Sequence, residues 1–115
     1  MSVRRYVPTT LPALARDWES EGPEVADPVL ADDDSEESEY AALMAGADAS
    51  ARLVAGLPDG QRRRVVVVVE TTSADQSVTW RDVVAVHLDP RDDADEDDDL
   101  AWFATQEIGD LLASL

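Results

Sequence analysis

A chain of 115 residues with a formal net charge of −17 has room for one compact domain with one core, and not for two ordinary ones. So acidic a surface repels nucleic-acid phosphates and anionic membranes, which sets both aside as partners. All nine cations are arginine, and the absence of cysteine excludes disulfides, zinc–thiolate sites and a thiol nucleophile. Lysine and asparagine are missing too, a bias that a GC-rich genome produces; adaptation to a salty cytoplasm is the other source. Met1 to Pro8 holds Arg4 and Arg5 but no apolar stretch long enough for a signal peptide, and the longest apolar run falls far short of a membrane span. The expectation is a soluble cytoplasmic protein.

In chain order, Val3 to Val7 reads as a first strand, ended by Pro8. Thr9 or Thr10 then caps a helix with Pro12 in its first turn, where a missing N–H does no harm. Leu11, Leu14, Ala15 and Trp18 fall on one helical face, and Gly22-Pro23 stops the helix. Between Pro23 and Ala31, Val25, Val29 and Leu30 suit a short edge strand, although Pro28 argues against one. An irregular loop is the alternative. The acidic run from Asp32 to Glu39 leads into a second helix, with Asp34 and Glu37 spaced as a capping box. Tyr40, Leu43, Met44, Ala47, Ala51 and Val54 share one side of it, Asp48 and Arg52 form an i, i+4 pair, and the many alanines allow close packing on a sheet.

Pro58-Asp59-Gly60 turns the chain into Arg64 to Glu70, whose five consecutive valines leave no polar face. Their β-branching favours a strand over a helix, and a strand apolar on both sides needs cover on both. Burying the five valines contributes roughly 7 kcal/mol gross, before backbone ordering is subtracted. Thr71 to Ser77 reads as a hairpin loop. A strand from about Val78 to Leu88 follows, with a bulge or turn expected near Arg81-Asp82. Its two faces read as Val78, Trp80, Val84, Val86 and Leu88 against Thr79, Arg81, Val83, Ala85 and His87. After a second acidic run, Asp89 to Asp99, a last helix is expected with Leu100, Ala104, Ile108, Leu111, Leu112 and Leu115 as its core stripe.

The fold expected is an α+β sandwich in a single domain over residues 1–115. A small mixed sheet of three to four strands has the valine strand at its centre, covered by three helices. The first strand and the valine strand are expected to be parallel neighbours joined by a right-handed crossover, and the valine strand and its successor an antiparallel hairpin. The acidic segments 32–39 and 89–99 are expected as mobile loops.

Three segments resemble a family of small acidic proteins of unassigned function from high-GC actinobacteria. They are Arg4-Arg5-Tyr6-Val7-Pro8-Thr9-Thr10-Leu11, Val83-Val84-Ala85-Val86-His87-Leu88-Asp89 and, most specific, Trp102-Phe103-Ala104-Thr105-Gln106-Glu107-Ile108. The junction Arg62-Arg63-Arg64-Val65-Val66-Val67 also fits. Two features depart from that pattern. Arg5 stands where an apolar strand residue is usual, and Gly22 to Glu39 is short where relatives carry a fuller second strand. The resemblance implies a bacterial, soluble, single-domain protein and no particular activity.

Few residues break the pattern of their own element. Glu107 falls at the edge of the expected core stripe, where a carboxylate needs a partner or a raised pKa. His87 is the only histidine, and a packed, hydrogen-bonded role competes with a catalytic one. If the last helix brings Glu107 to His87, the pair makes a pH-sensitive contact or a general base, and these two are the catalytic candidates. Trp102, near Gln106, lies opposite the core stripe and marks either a partner surface or a second layer. Arg62-Arg63-Arg64 either binds an anionic ligand or neutralises nearby carboxylates. Asp93-Ala94-Asp95-Glu96-Asp97 begins like a calcium loop, but Asp98 replaces the turn glycine and Ala104 the bidentate glutamate, so no metal site is expected. No cofactor is expected either.

Three functions are compatible with these residues. The first is a non-enzymatic protein-interaction or regulatory domain, with an unknown protein partner or as a homodimer through Trp102 or an open sheet edge. The second is an enzyme or small-ligand-binding protein using His87 and Glu107. The third is an acidic mimic of nucleic acid.

Overall fold

A computed structural model describes residues 2–114. In chain order its elements are β1 (Val3–Thr9), α1 (Leu11–Trp18), β2 (Val29–Leu30), α2 (Glu36–Val54), β3 (Val65–Thr71), β4 (Val83–Leu88), β5 (Ala101–Phe103) and α3 (Ile108–Ala113). Single 3-10 turns at Trp80–Asp82 and Thr105–Glu107 precede β4 and α3. The strands form one sheet in the order β2-β1-β3-β4-β5, with every neighbouring pair antiparallel. The α+β class and the central valine strand are as expected. The sheet has five strands rather than three to four, and it is antiparallel rather than mixed.

The direction of β3 follows from β2. Val29 and Leu30 pair with Tyr6 and Arg5, so this short strand carries the chain back along β1. α2 then runs alongside β1 in the same direction. Glu39 near its start pairs with Arg4, and Ser50 near its end bonds the Thr9 carbonyl. The chain is therefore delivered to the far end of β1, where Thr9 faces Val65, and β3 must run antiparallel. A parallel crossover needs the return stroke to be made by the helix; here the doubtful strand makes it. Pro8 is tolerated within β1 because β2 covers only Arg5 and Tyr6, leaving the outer side at Pro8 open.

Period-two alternation divides β3 between two cores. Val65, Val67 and Val69 join Val7, Leu11, Leu14, Val86, Leu88 and Ile108 on one face. Val66 and Val68 join Tyr6, Ala42, Ala47 and Ala85 on the other. The first face is covered by α1, α3 and the turn at Trp80–Asp82; Trp18 at the end of α1 and Trp80 meet edge-on at a ring-centroid distance of 4.8 Å. Thr10 caps α1, accepting from the Ala13 N–H at 3.2 Å, and Pro12 sits in the first turn as its missing N–H allows.

The second face is covered by one helix, α2, with Ala31 and Leu100 packed against the same core. The buried residues of α2 are Ala42, Gly46, Ala47, Ser50 and Val54, a stripe of mostly small side chains at intervals of four. A side chain at Gly46 would begin 3.3 Å from the Val66 methyl, so glycine sets how close the helix approaches. The expected stripe is rotated: Ala47 and Val54 are buried, but Tyr40 is 54% exposed. Ser35 rather than Asp34 is the cap, accepting from Ser38, and Glu36–Glu39 are already helical. Asp48 and Arg52 make no ion pair among the described residues.

β1 runs on through Pro8 to Thr9, and β4 and the last helix both begin later than expected. β4 begins at Val83, because the Asp82 carboxylate accepts from Thr79 N at 2.9 Å and closes the turn at Trp80–Asp82. Its register with β3 then skips Val84, since Val68 faces Ala85 and Val69 faces Val83. This bulge turns Val83 into the first core and leaves Val84 outward, reversing the alternation read from sequence at those two positions. The last helix is six residues long rather than starting at Leu100. Ala101–Phe103 pair with β4 instead, because Trp102 and Phe103 suit a strand and alternate between the two faces. Leu115 lies outside the described residues.

Ser50 joins three elements. Its hydroxyl donates to the Thr9 carbonyl at 2.7 Å and accepts from Val65 N at 2.8 Å, wholly buried. Ser50→Ala leaves both backbone groups without that partner. We expect a loss of about 2–3 kcal/mol in urea unfolding, with an unchanged denaturant slope.

Candidate functional site

Because α2 packs on β1, β2 and β3, the second face of β4 and β5 is left without a helix. The result is an open groove of about 430 Å³ between α2 and β4–β5. Tyr40 lies on the α2 side, His87 and Val84 on the floor, and Trp102 on the β5 side. His87 and Trp102 are register partners on adjacent strands, so both side chains face the groove. Trp102 is 59% exposed.

Two polar networks border the groove, and Glu36 in its lining belongs to neither among the described residues. Arg4 reaches Glu39 at 3.2 Å through Nη1 and Glu70 at 3.1 Å through Nε. The Glu70 carboxyl also accepts from the Ser2 hydroxyl at 2.7 Å, and these bonds hold its pKa below the usual carboxylate value. The Tyr40 hydroxyl donates to Asp99 at 3.1 Å, tying the second acidic segment to α2, and that bond raises the tyrosine pKa. Burial raises the pKa of Tyr6 beneath the groove. Burial also pushes the half-buried His87 below its ordinary value of 6.5, because the charged imidazolium loses water there. The shift favours the neutral imidazole.

The candidates read from sequence are not all brought together. Glu107 is exposed, on the turn entering α3, and its carboxylate accepts from the Ala104 N–H at 3.1 Å. It does not line the groove that holds His87. The expected contact depended on one helix running from Leu100. With Ala101–Phe103 in the sheet, Glu107 caps a turn leading to the opposite face instead. Trp102 is exposed as the partner-surface reading requires, but on a strand; Gln106 is exposed beyond it.

Two arginines of the basic cluster are engaged with carboxylates. The buried Arg64 holds Asp89 with Nε and Nη2, each at 2.8 Å, while its backbone N–H bonds the same carboxylate at 2.9 Å. Its remaining donors reach the carbonyls of Glu96 and Asp98 at 3.2 and 2.9 Å. Arg62 forks onto Asp93 at 3.0 and 2.9 Å and also pairs with Asp59, with Asp93 lowered in pKa as a result. Arg91 pairs with Asp98 at 3.2 Å. Arg62 and Arg64 thus neutralise carboxylates and pin the segment 89–99 to the start of β3. Arg63 is half-buried beside them. Arg5, the departure noted in the first strand, is buried and donates to the Thr71 hydroxyl at 3.2 Å and the Gln76 carbonyl at 2.8 Å, with its Nε unpartnered.

Sequence reasoning missed Tyr40 and Val84 as groove residues. Tyr40 was legible from the stripe Ala42, Gly46, Ser50 and Val54, which rotates the tyrosine to the rim. Val84 had no local signal, because the bulge that turns it outward is set by pairing with β3. Among the described residues, no group of three or more His, Asp or Glu side chains is arranged to hold a metal ion, and no helix is long and apolar enough to cross a membrane.

Comparison with known proteins adds one finding. The model of a family described as a family of unknown function, DUF6912, matches residues 3–112. No curated protein and no solved structure matches the chain.

The depressed His87 pKa carries a sign. Well above pH 6.5 the imidazole is neutral in both the folded and the unfolded chain, and it contributes nothing to the pH dependence. As pH falls through 6.5 the unfolded chain takes up the proton first, so folding stability declines. Urea midpoints measured from about pH 7.5 to about pH 5.5 should fall for the wild type and stay flatter for His87→Gln. An identical slope in both proteins would remove this assignment.

Proposed function

We propose that this chain, which belongs to DUF6912, a family of unknown function, is a non-enzymatic protein-interaction domain whose working surface is the groove between α2 and β4–β5. The observation that carries the reading is Trp102. A tryptophan more than half exposed stands on the last strand of the sheet, beside a concave surface that also presents Tyr40 and His87. Tryptophan and tyrosine are the side chains that most often anchor partners, because a large amphipathic area is desolvated at little entropic cost. Glu107 does not line the groove, and burial alone accounts for the His87 shift, with neither Glu36 nor Glu39 contributing to it, which weighs against a carboxylate-assisted general base.

The acidic-mimic reading receives less support. Asp89, Asp93 and Asp98 are bonded to Arg64, Arg62 and Arg91 and so are not presented as a free row of charges.

Affinity capture from the native host tests the reading. Wild type and Arg81→Ala, an exposed change away from the groove, should retain the same partner. Trp102→Ala should weaken its retention by about thirtyfold, as a tryptophan anchor of about 2 kcal/mol requires. Equal retention by Trp102→Ala and Tyr40→Ala would contradict the assignment of the surface.

A further inference from the structure

We propose that an extended, arginine-bearing segment of a protein partner adds to the sheet along the outer edge of β5 and extends its side chains past Trp102 toward the groove. The inference rests on the interaction reading above and names what the partner brings. The two edges of the sheet differ in how they resist pairing. β2 is only two residues long, follows Pro28 and runs into Asp32-Asp33-Asp34. Short length, proline and charge all discourage strand addition. β5 is also short, three residues after Asp97-Asp98-Asp99 and Leu100, but it reads Ala-Trp-Phe with no charge, proline or bulge of its own, and its outer side pairs with no other described strand. An added strand there gains main-chain hydrogen bonds, and alternate side chains extend past Trp102 toward the groove.

Charge decides what those side chains are. Glu36 and Glu39 line the groove, and Asp99 is held at its rim by Tyr40. Arg4, the cation in the lining, is already paired with Glu39 and Glu70. The local field is therefore negative, in a chain of net charge −17. A second copy of the chain on this edge brings the same charge against itself, which disfavours self-pairing. A guanidinium suits the place best: it stacks on an exposed aromatic face such as that of Trp102 and is drawn to the carboxylates of Glu36 and Glu39.

The test is a titration of the intact protein, followed by amide and indole NMR shifts, with a short blocked peptide of alternating valine and arginine. The expected result is saturable binding with shifts at Ala101–Phe103, His87 and Tyr40. Affinity should fall about fivefold or more with Trp102→Ala, as loss of a cation–π contact requires. It should also fall when NaCl is raised from about 50 to about 500 mM. Replacing arginine by glutamate, or methylating the peptide nitrogens that face β5, should abolish it. The proposal is overturned by an absence of binding, by shifts confined to residues 92–99, by affinity unchanged in Trp102→Ala, or by a β5-paired dimer of the protein alone. If the peptide fails while Trp102-dependent capture from the host persists, the partner chemistry is wrong and the interaction surface stands. If both fail, the surface itself is wrong.

Discussion

Everything in this molecule follows from sealing a strand that has no wet side. Val65 to Val69 are all buried, and the sheet is built outward from them on both edges. The two seals are unequal. One face receives two helices, a pair of tryptophans and the long aliphatic side chains of the first core. The other receives one helix with a stripe of small residues, close enough that Gly46 rests on Val66. A single helix is roughly 10 Å across, about two strand spacings, and it cannot also cover β4 and β5. The groove is the uncovered remainder.

The acidic composition is managed by a few arginines at chosen places. Arg64 and Asp89 bracket the start of β3 and the end of β4, and the guanidinium continues to two carbonyls of the acidic segment. Removing one partner of such a buried pair typically costs about 3–5 kcal/mol, because a charge is left alone. Arg62 and Arg91 do similar work at the exposed margin, where each pair contributes about 0–1 kcal/mol. Near the groove, by contrast, Arg4 is shared between two glutamates, so negative charge is in excess where Trp102 is exposed.

The sequence carried the local structure better than the wiring. The valine run, the Thr10 cap with Pro12 and the turn at Arg81-Asp82 all rest on short-range chemistry, and each lies where that chemistry puts it, whereas the hairpin loop begins after Thr71 and runs to Asp82 rather than spanning Thr71 to Ser77. Strand direction does not rest on such chemistry, because it turns on whether two residues, Val29 and Leu30, form a return strand despite Pro28. The stretch from Leu100 to Glu107 misled because apolar residues at helical spacing also fit a three-residue strand followed by a turn; pairing with β4 settled it. Glu107 was noticed for its misfit to a helix that does not exist at that point. Trp102 was noticed for lying opposite the core stripe of the same helix; it is exposed for a different reason, on an edge strand over which no helix packs.

Native-state hydrogen exchange tests the central claim most directly. If β3 is closed on both faces, the amides of Val65 to Val69 exchange only through global unfolding, with a denaturant dependence equal to that of the whole domain, while those of Ala101 to Phe103 exchange through smaller openings. Fast exchange at the five valines, insensitive to denaturant, would contradict the account.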